Sequence, residues 1–200
     1  KTIYPSKDAV IRSQFVNQND GLDQILELSK AAYGSPSIEG SDSVFYATTY
    51  NSRILIAFDL TEILSSIQQG KITGNAFYYL TLKGTDAINL PVDYSIYAYP
   101  ISGTWSNGRG FFNHNPITAD GASWRFRDSK LSGTLWSTAS YNPGSTGSFG
   151  TIAHGGNWFT SSVASQSFSH DDFDLRMDVT SIVRQWISGS IPNQGFILKL

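Results

Sequence analysis

Three histidines, at positions 114, 154 and 170, are the first residues of this 200-residue chain to test for chemistry. They form no motif. None sits in a helical metal-binding pair, and their wide separation favours ordinary polar loop positions. His170-Asp171-Asp172-Phe173-Asp174 could lend oxygens to a calcium ion, the one cofactor the sequence brings to mind. The run lacks the Asp-x-Asn-x-Asp-Gly spacing of a calcium loop and also reads as a solvated acidic turn before a strand. No other metal is expected. Asp120-Gly121 near Trp124 suggests a glycosidase carboxylate beside an aromatic ring. The glutamates, at 27, 39 and 62, fall in a strand end, a loop and a cap, so a carboxylate pair across a sugar cleft has no support. Serine is abundant, yet no Gly-x-Ser-x-Gly elbow joins a strand to a helix. No phosphate loop or dinucleotide fingerprint is present. The expectation is a protein that is not an enzyme.

What remains is aromatic. Trp105, Trp124, Trp136 and Trp158 occur in or beside long polar loops, and Tyr141 and His154 share the loop-rich stretch from 131 to 157. Aromatic faces stack on sugars or anchor protein interfaces. Their commoner fate is to plug the ends of a core. Trp105, Trp136, Tyr141, His154 and Trp158 are the candidate ligand-binding residues.

The elements that must hold these residues are mostly strands. Ala9, Ile11 and Phe15 alternate with polar or outward positions, Gln24–Leu28 is a second short strand, and 53–59 and 94–99 are stronger ones. Residues 77–82 are aromatic and β-prone. Residues 31–49 read as a long loop with at most one edge strand, and 159–168 as a weak edge strand. Two stretches change period. Val179, Ile182, Val183 and Trp186 mark one face of a short helix, and Leu60, Ile63, Leu64 and Ile67 mark another. Asp59–Gly70 aligns without gaps on Asp178–Gly189. In each, Asp59 or Thr61, and Asp178 or Thr180, can cap the start, and the glycine can close the end in a left-handed conformation. Trp186 belongs to the core. The pattern predicts two equivalent lids on one β core: an all-β, jelly-roll-like antiparallel β-sandwich with two short capping helices, in a single domain over residues 1–200.

Composition agrees with that class. Aromatic content of 14% can fill a core, while charged residues make up only 15%, against about 25% in typical domains. A net charge of −2 offers no basic field for nucleic acid or anionic membranes. No apolar run is long enough to span a bilayer. Cysteine is absent, which removes disulfides and thiolate chemistry. The chain begins at Lys1 rather than Met, as a processed or excised piece does.

Ser52–Thr61, Asp120-Gly-Ala-Ser-Trp124, Asp178–Trp186 and Asn193–Lys199 together resemble the DNRLRE-type modules, which are related to the carbohydrate-binding modules of disaggregatase-like proteins. The wording of these motifs is most similar to versions in structural proteins of tailed phages. The resemblance covers nearly all of the chain from Asp8. It implies a non-catalytic sandwich of a virion or other extracellular assembly that adheres to glycans or joins other protein chains. The family pattern continues past the last strand seen here. The resemblance therefore implies a missing final strand and an open sheet edge near Leu200, where another chain could add.

Overall fold

The computed structural model describes residues 1–37, 44–73, 76–85, 93–130, 133–136, 154–169 and 174–200. In chain order the elements are β1 (Pro5–Arg12), β2 (Lys30–Ser37), β3 (Val44–Phe58), α1 (Thr61–Gln68), β4 (Tyr79–Leu82) and β5 (Asp93–Pro100). They continue with β6 (Phe126–Asp128), β7 (Thr134–Leu135), β8 (Ala164–Ser169), β9 (Leu175–Asp178), α2 (Thr180–Ile187) and β10 (Phe196–Lys199). Antiparallel pairs dominate, so the chain is all-β with two short helices.

The chain divides into two compact units, each assembled from separated stretches. The first takes Lys1–Asp8, Leu55–Thr104 and Trp158–Leu200. The second takes Ala9–Ile54 and Trp105–Asn157. The expectation from sequence is one sandwich without subdivision. No linker marks the division, because β1 and β3 each run from one unit into the other.

The main sheet has the order β1-β3-β10-β5-β8, with β2 also pairing on β3. β10 is therefore an interior strand, with β3 on one side and β5 on the other. This corrects the expectation of an open edge near Leu200: the hydrogen-bonding groups of that strand face two neighbours. One edge of the sheet is β8, in the stretch read as an edge strand. β4 and β9 form a separate antiparallel pair, Tyr79 opposite Asp178 and Leu82 opposite Leu175.

The two aligned stretches fold alike. α1 and α2 begin and end at equivalent residues. Asp59 Oδ1 accepts the Thr61 N–H, and Asp178 Oδ1 accepts the Thr180 N–H, each at 2.9 Å. The half-helical positions themselves are taken by Leu60 and Val179, whose side chains cannot cap. The Thr180 hydroxyl has an additional use, accepting the Tyr78 N–H at 2.9 Å. Gly70 and Gly189 adopt φ of 70° and 74°. Each closes its helix by the same two bonds: Gly70 N–H to Ile67 O and Lys71 N–H to Ser66 O, and Gly189 N–H to Trp186 O and Ser190 N–H to Gln185 O. This is the Schellman arrangement. The lids are alike in backbone but unequal in packing. α2 buries Thr180, Ile182, Val183 and Trp186, whereas α1 buries Ile63 alone.

The strands flanking these helices are exchanged. β3 precedes α1 and neighbours β10, which follows α2. β9 precedes α2 and pairs with β4, which follows α1. Each strand-helix-strand stretch thus finds one sheet neighbour for each of its strands in the other.

Three readings are revised. β1 ends at Arg12, so Phe15 lies beyond it, and Ala9, Val10 and Ile11 are all buried rather than alternating. Gln24–Leu28 is not a strand. Glu27 instead gives its carboxylate to Arg12 and its carbonyl to the Ser52 hydroxyl. The stretch read as a long loop contains β2, paired in register from Lys30–Asn51 to Ser37–Val44.

Candidate functional site

One partly exposed surface of the first unit is a face of β5, β8 and β10. In β5, residues alternate between two sides. Tyr94 stacks on Phe168 at 4.8 Å and 6°, and Ala98 is fully buried, so the even positions face the core. On β10 the core side is set by Phe196 and Leu198. Phe196 meets Trp186 at 4.6 Å and Phe58 at 6.3 Å.

The odd positions of β5 point the other way. Asp93 lies opposite Ser169, Ser95 opposite Ser167 and Tyr97 opposite Ser165. Across the other ladder, Tyr97 lies opposite Lys199 and Tyr99 opposite Ile197. Ser95 and Ser167 share a hydroxyl–hydroxyl bond of 2.9 Å. Tyr97 is 38% exposed, and Ser165, Ser167 and Ser169 are exposed with it. The Lys199 ammonium sits 5.6 Å from the Tyr99 ring and 5.1 Å from the Trp158 ring, within cation–π range. Tyr99 and Trp158 are themselves 5.8 Å apart. Burial, and then the adjacent Tyr97, push the Tyr99 phenol above its ordinary value. The face closes at the Ile101–Trp158 bridge, where Ile101 and Ile197 are fully buried. Such a surface offers apolar ring area flanked by hydroxyls that both donate and accept.

In the second unit the Asp120–Trp124 stretch is a structural hub. Asn19, fully buried, donates from Nδ2 to Asn107 O and Ala122 O, each at 2.7 Å, and accepts at Oδ1 from Gly110 N–H at 2.8 Å. The fit leaves no room for side chains around it: a Cβ on Gly108 would lie 1.6 Å from Asp120 O, and one on Gly110 1.9 Å from Asn19 O. The Asp120 carboxylate takes Arg109 at 2.7 Å. Ser123 O accepts the Trp136 Nε1–H at 2.9 Å. Arg53, buried and lowered to about 10 by that burial, lies over the Trp124 ring at 4.5 Å and donates to Gly155 O. Asp20 accepts from Arg12 at 2.7 Å and from Gln18 at 3.0 Å, yet desolvation raises its carboxyl above the ordinary range.

The residues singled out from sequence fall as follows. Trp105, Trp136 and Trp158 are 5%, 1% and 6% exposed, and His154 is 4% exposed. Trp105, Trp136 and His154 belong to the second unit and Trp158 to the first. In this conformation the tryptophan faces are covered by protein, and Trp158 meets the open face through its contacts with Tyr99 and Lys199. Burial, and then the nearby Arg125 charge, lower the His154 imidazole, whose Nδ1 has no hydrogen-bond partner among the described residues. Tyr141 lies outside the described residues, as do His170–Phe173. Asp174, the described member of the calcium candidate, gives its oxygens to the Lys83 ammonium and the Gly84 N–H. Among the described residues no group of three or more His, Cys, Asp or Glu is placed to hold a metal. No described helix is long and apolar enough to cross a membrane.

Tyr97, Tyr99, Ser165, Ser167 and Lys199 are not among the residues singled out from sequence. Their signal was alternation: Tyr97 and Tyr99 two apart, and Ser165, Ser167 and Ser169 two apart, each on one side of its strand. No protein-family model, curated protein or solved structure matches the chain.

Proposed function

We propose that the chain is a non-catalytic adhesion and assembly module of a virion or other extracellular structure, and that its contact surface is the tyrosine–serine face of β5 and β8. The observation that carries this reading is Tyr97: a large ring left 38% exposed on a sheet face, with Ser165 opposite it on β8, Lys199 opposite it on β10, and Ser95 and Tyr99 on the same side of its own strand. The DNRLRE-type resemblance and the low share of charged residues support it. We also assign the finer fold within this reading, a jelly-roll-like β-sandwich. The placing of β10 between β3 and β5 supports that assignment, because late and early strands are neighbours in one sheet. A second reading, a carbohydrate-binding module of a secreted polysaccharide-active protein, draws on the same ring and hydroxyl surface.

A glycan array probed with the intact chain and with Tyr97→Ala tests the proposal. Binding by the parent and a loss of about 10-fold in the variant, in line with the share of binding energy one anchoring ring can hold, is the expected result. Retention on glycans that is unchanged by Tyr97→Ala would remove this face from the proposal. Stoichiometric incorporation into particles favours the assembly reading, and a polysaccharide-active domain in the same polypeptide favours the second.

A further inference from the structure

The charge and hydroxyl pattern of this face points to a neutral, hydroxyl-rich polysaccharide as its ligand, in preference to an acidic one. The inference rests on the adhesion reading and narrows it to a ligand class. Six hydroxyls lie on the face: Ser95, Tyr97, Tyr99, Ser165, Ser167 and Ser169. A hydroxyl both donates and accepts, and so does each hydroxyl of a sugar, so the two surfaces can match without either carrying charge. A carboxylate or sulfate accepts only, and would use these groups one way.

The charged groups on the face cancel. Lys199 stands opposite Tyr97 on β10, and Asp93 stands at the far end of β5, opposite Ser169. The ammonium lies over the Tyr99 and Trp158 rings at 5.6 and 5.1 Å. An acidic polymer running along β5 would therefore meet one cation already engaged with two rings, and one carboxylate that repels it. The chain as a whole carries a net charge of −2, so no long-range field draws a polyanion in. The Tyr97 ring supplies the apolar platform that a sugar's C–H face needs.

Affinity electrophoresis tests this, with neutral galactomannan and hydroxyethylcellulose in one set of gels and alginate and heparin in another. The expected result is retardation by at least one neutral polymer that persists at 0.5 M salt, because no ion pair carries it. Tyr97→Ala should weaken that retardation about 10-fold. Ser165→Glu, an exposed change on the edge strand, should weaken it as well, and both variants should keep the parent melting temperature within a few degrees. Retardation by alginate or heparin alone, falling with salt and abolished by Lys199→Gln, would overturn the neutral-ligand inference and leave the adhesion reading standing. Retardation by none of the four polymers would defeat the neutral-ligand inference and count against glycan adhesion itself.

Discussion

Asp59 and Asp178 do the same work at the start of two helices, and that work depends on charge. Hydrogen bonds from the Thr61 hydroxyl and backbone N–H hold the Asp59 carboxyl below its ordinary 3.8. The Thr180 hydroxyl and N–H, helped by Arg184, do the same for Asp178. A carboxyl whose folded value is depressed binds protons more readily when unfolded. The stabilisation it brings is complete above 3.8 and is lost as pH falls through the lower folded values. Asn at both positions keeps an acceptor oxygen but cannot titrate. Thermal melts between pH 5 and pH 2 should show the parent losing stability more steeply than Asp59→Asn/Asp178→Asn. Parallel profiles would show that these two carboxyls contribute nothing to acid sensitivity. At neutral pH the two proteins should melt within a few degrees of each other, since Asn keeps the acceptor oxygen of each exposed cap and solvent screens the lost charge.

At the scale of elements, glycine separates two kinds of constraint. Gly70 and Gly189 have positive φ, but an added Cβ would meet nothing within 4 Å. Alanine at either position should cost about 1 kcal/mol, the penalty of the left-handed backbone alone. Gly108 has φ of 75° and a Cβ position 1.6 Å from a backbone oxygen, so Gly108→Ala adds overlap to strain. Urea unfolding should show the first two variants folded and mildly weakened, and Gly108→Ala weakened by several kcal/mol or unable to form its unit. The same contrast explains what could be read in advance. The helices were legible because a period of 3.6, an Asp at the start and a Gly at the end act within a dozen residues. β2 was not, because Gly34, Pro36 and its serines give no apolar alternation. Its place is set by a backbone ladder to β3. Gln24–Leu28 misled in the opposite sense: its alternation is real, but the Ser52 hydroxyl takes the Glu27 carbonyl that a ladder would use, while the Glu27 carboxylate is drawn to Arg12. The candidate face was hidden because it exists only when β5, β8 and β10 are in register, and register is not local. The tryptophans drew attention by size, and the structure buries them.

At the scale of the molecule, the sheet order makes the last few residues indispensable to the first unit. β10 stands between β3 and β5, and Gly195 just before it packs so closely that a Cβ would lie 2.3 Å from Ile56 O. Ending the chain at Gln194 would divide the sheet into two pieces and uncover Trp186, which meets Phe196 at 4.6 Å. The expected outcome is loss of the cooperative transition of that unit and of its tryptophan near-UV dichroism. Retention of both would show that the sheet tolerates the gap. The exchange of strands between the two strand-helix-strand stretches also bears on how the protein is made. β3 leaves the ribosome early, but its partner β10 follows only after roughly 140 further residues. At translation speeds of about 5–20 residues per second that is an interval on the order of ten seconds. Through that interval the end of β3 that includes Ile56 has no β10 beside it. A cell producing this chain must shelter a nascent apolar strand until β10 has been made, so its yield should depend on chaperone supply.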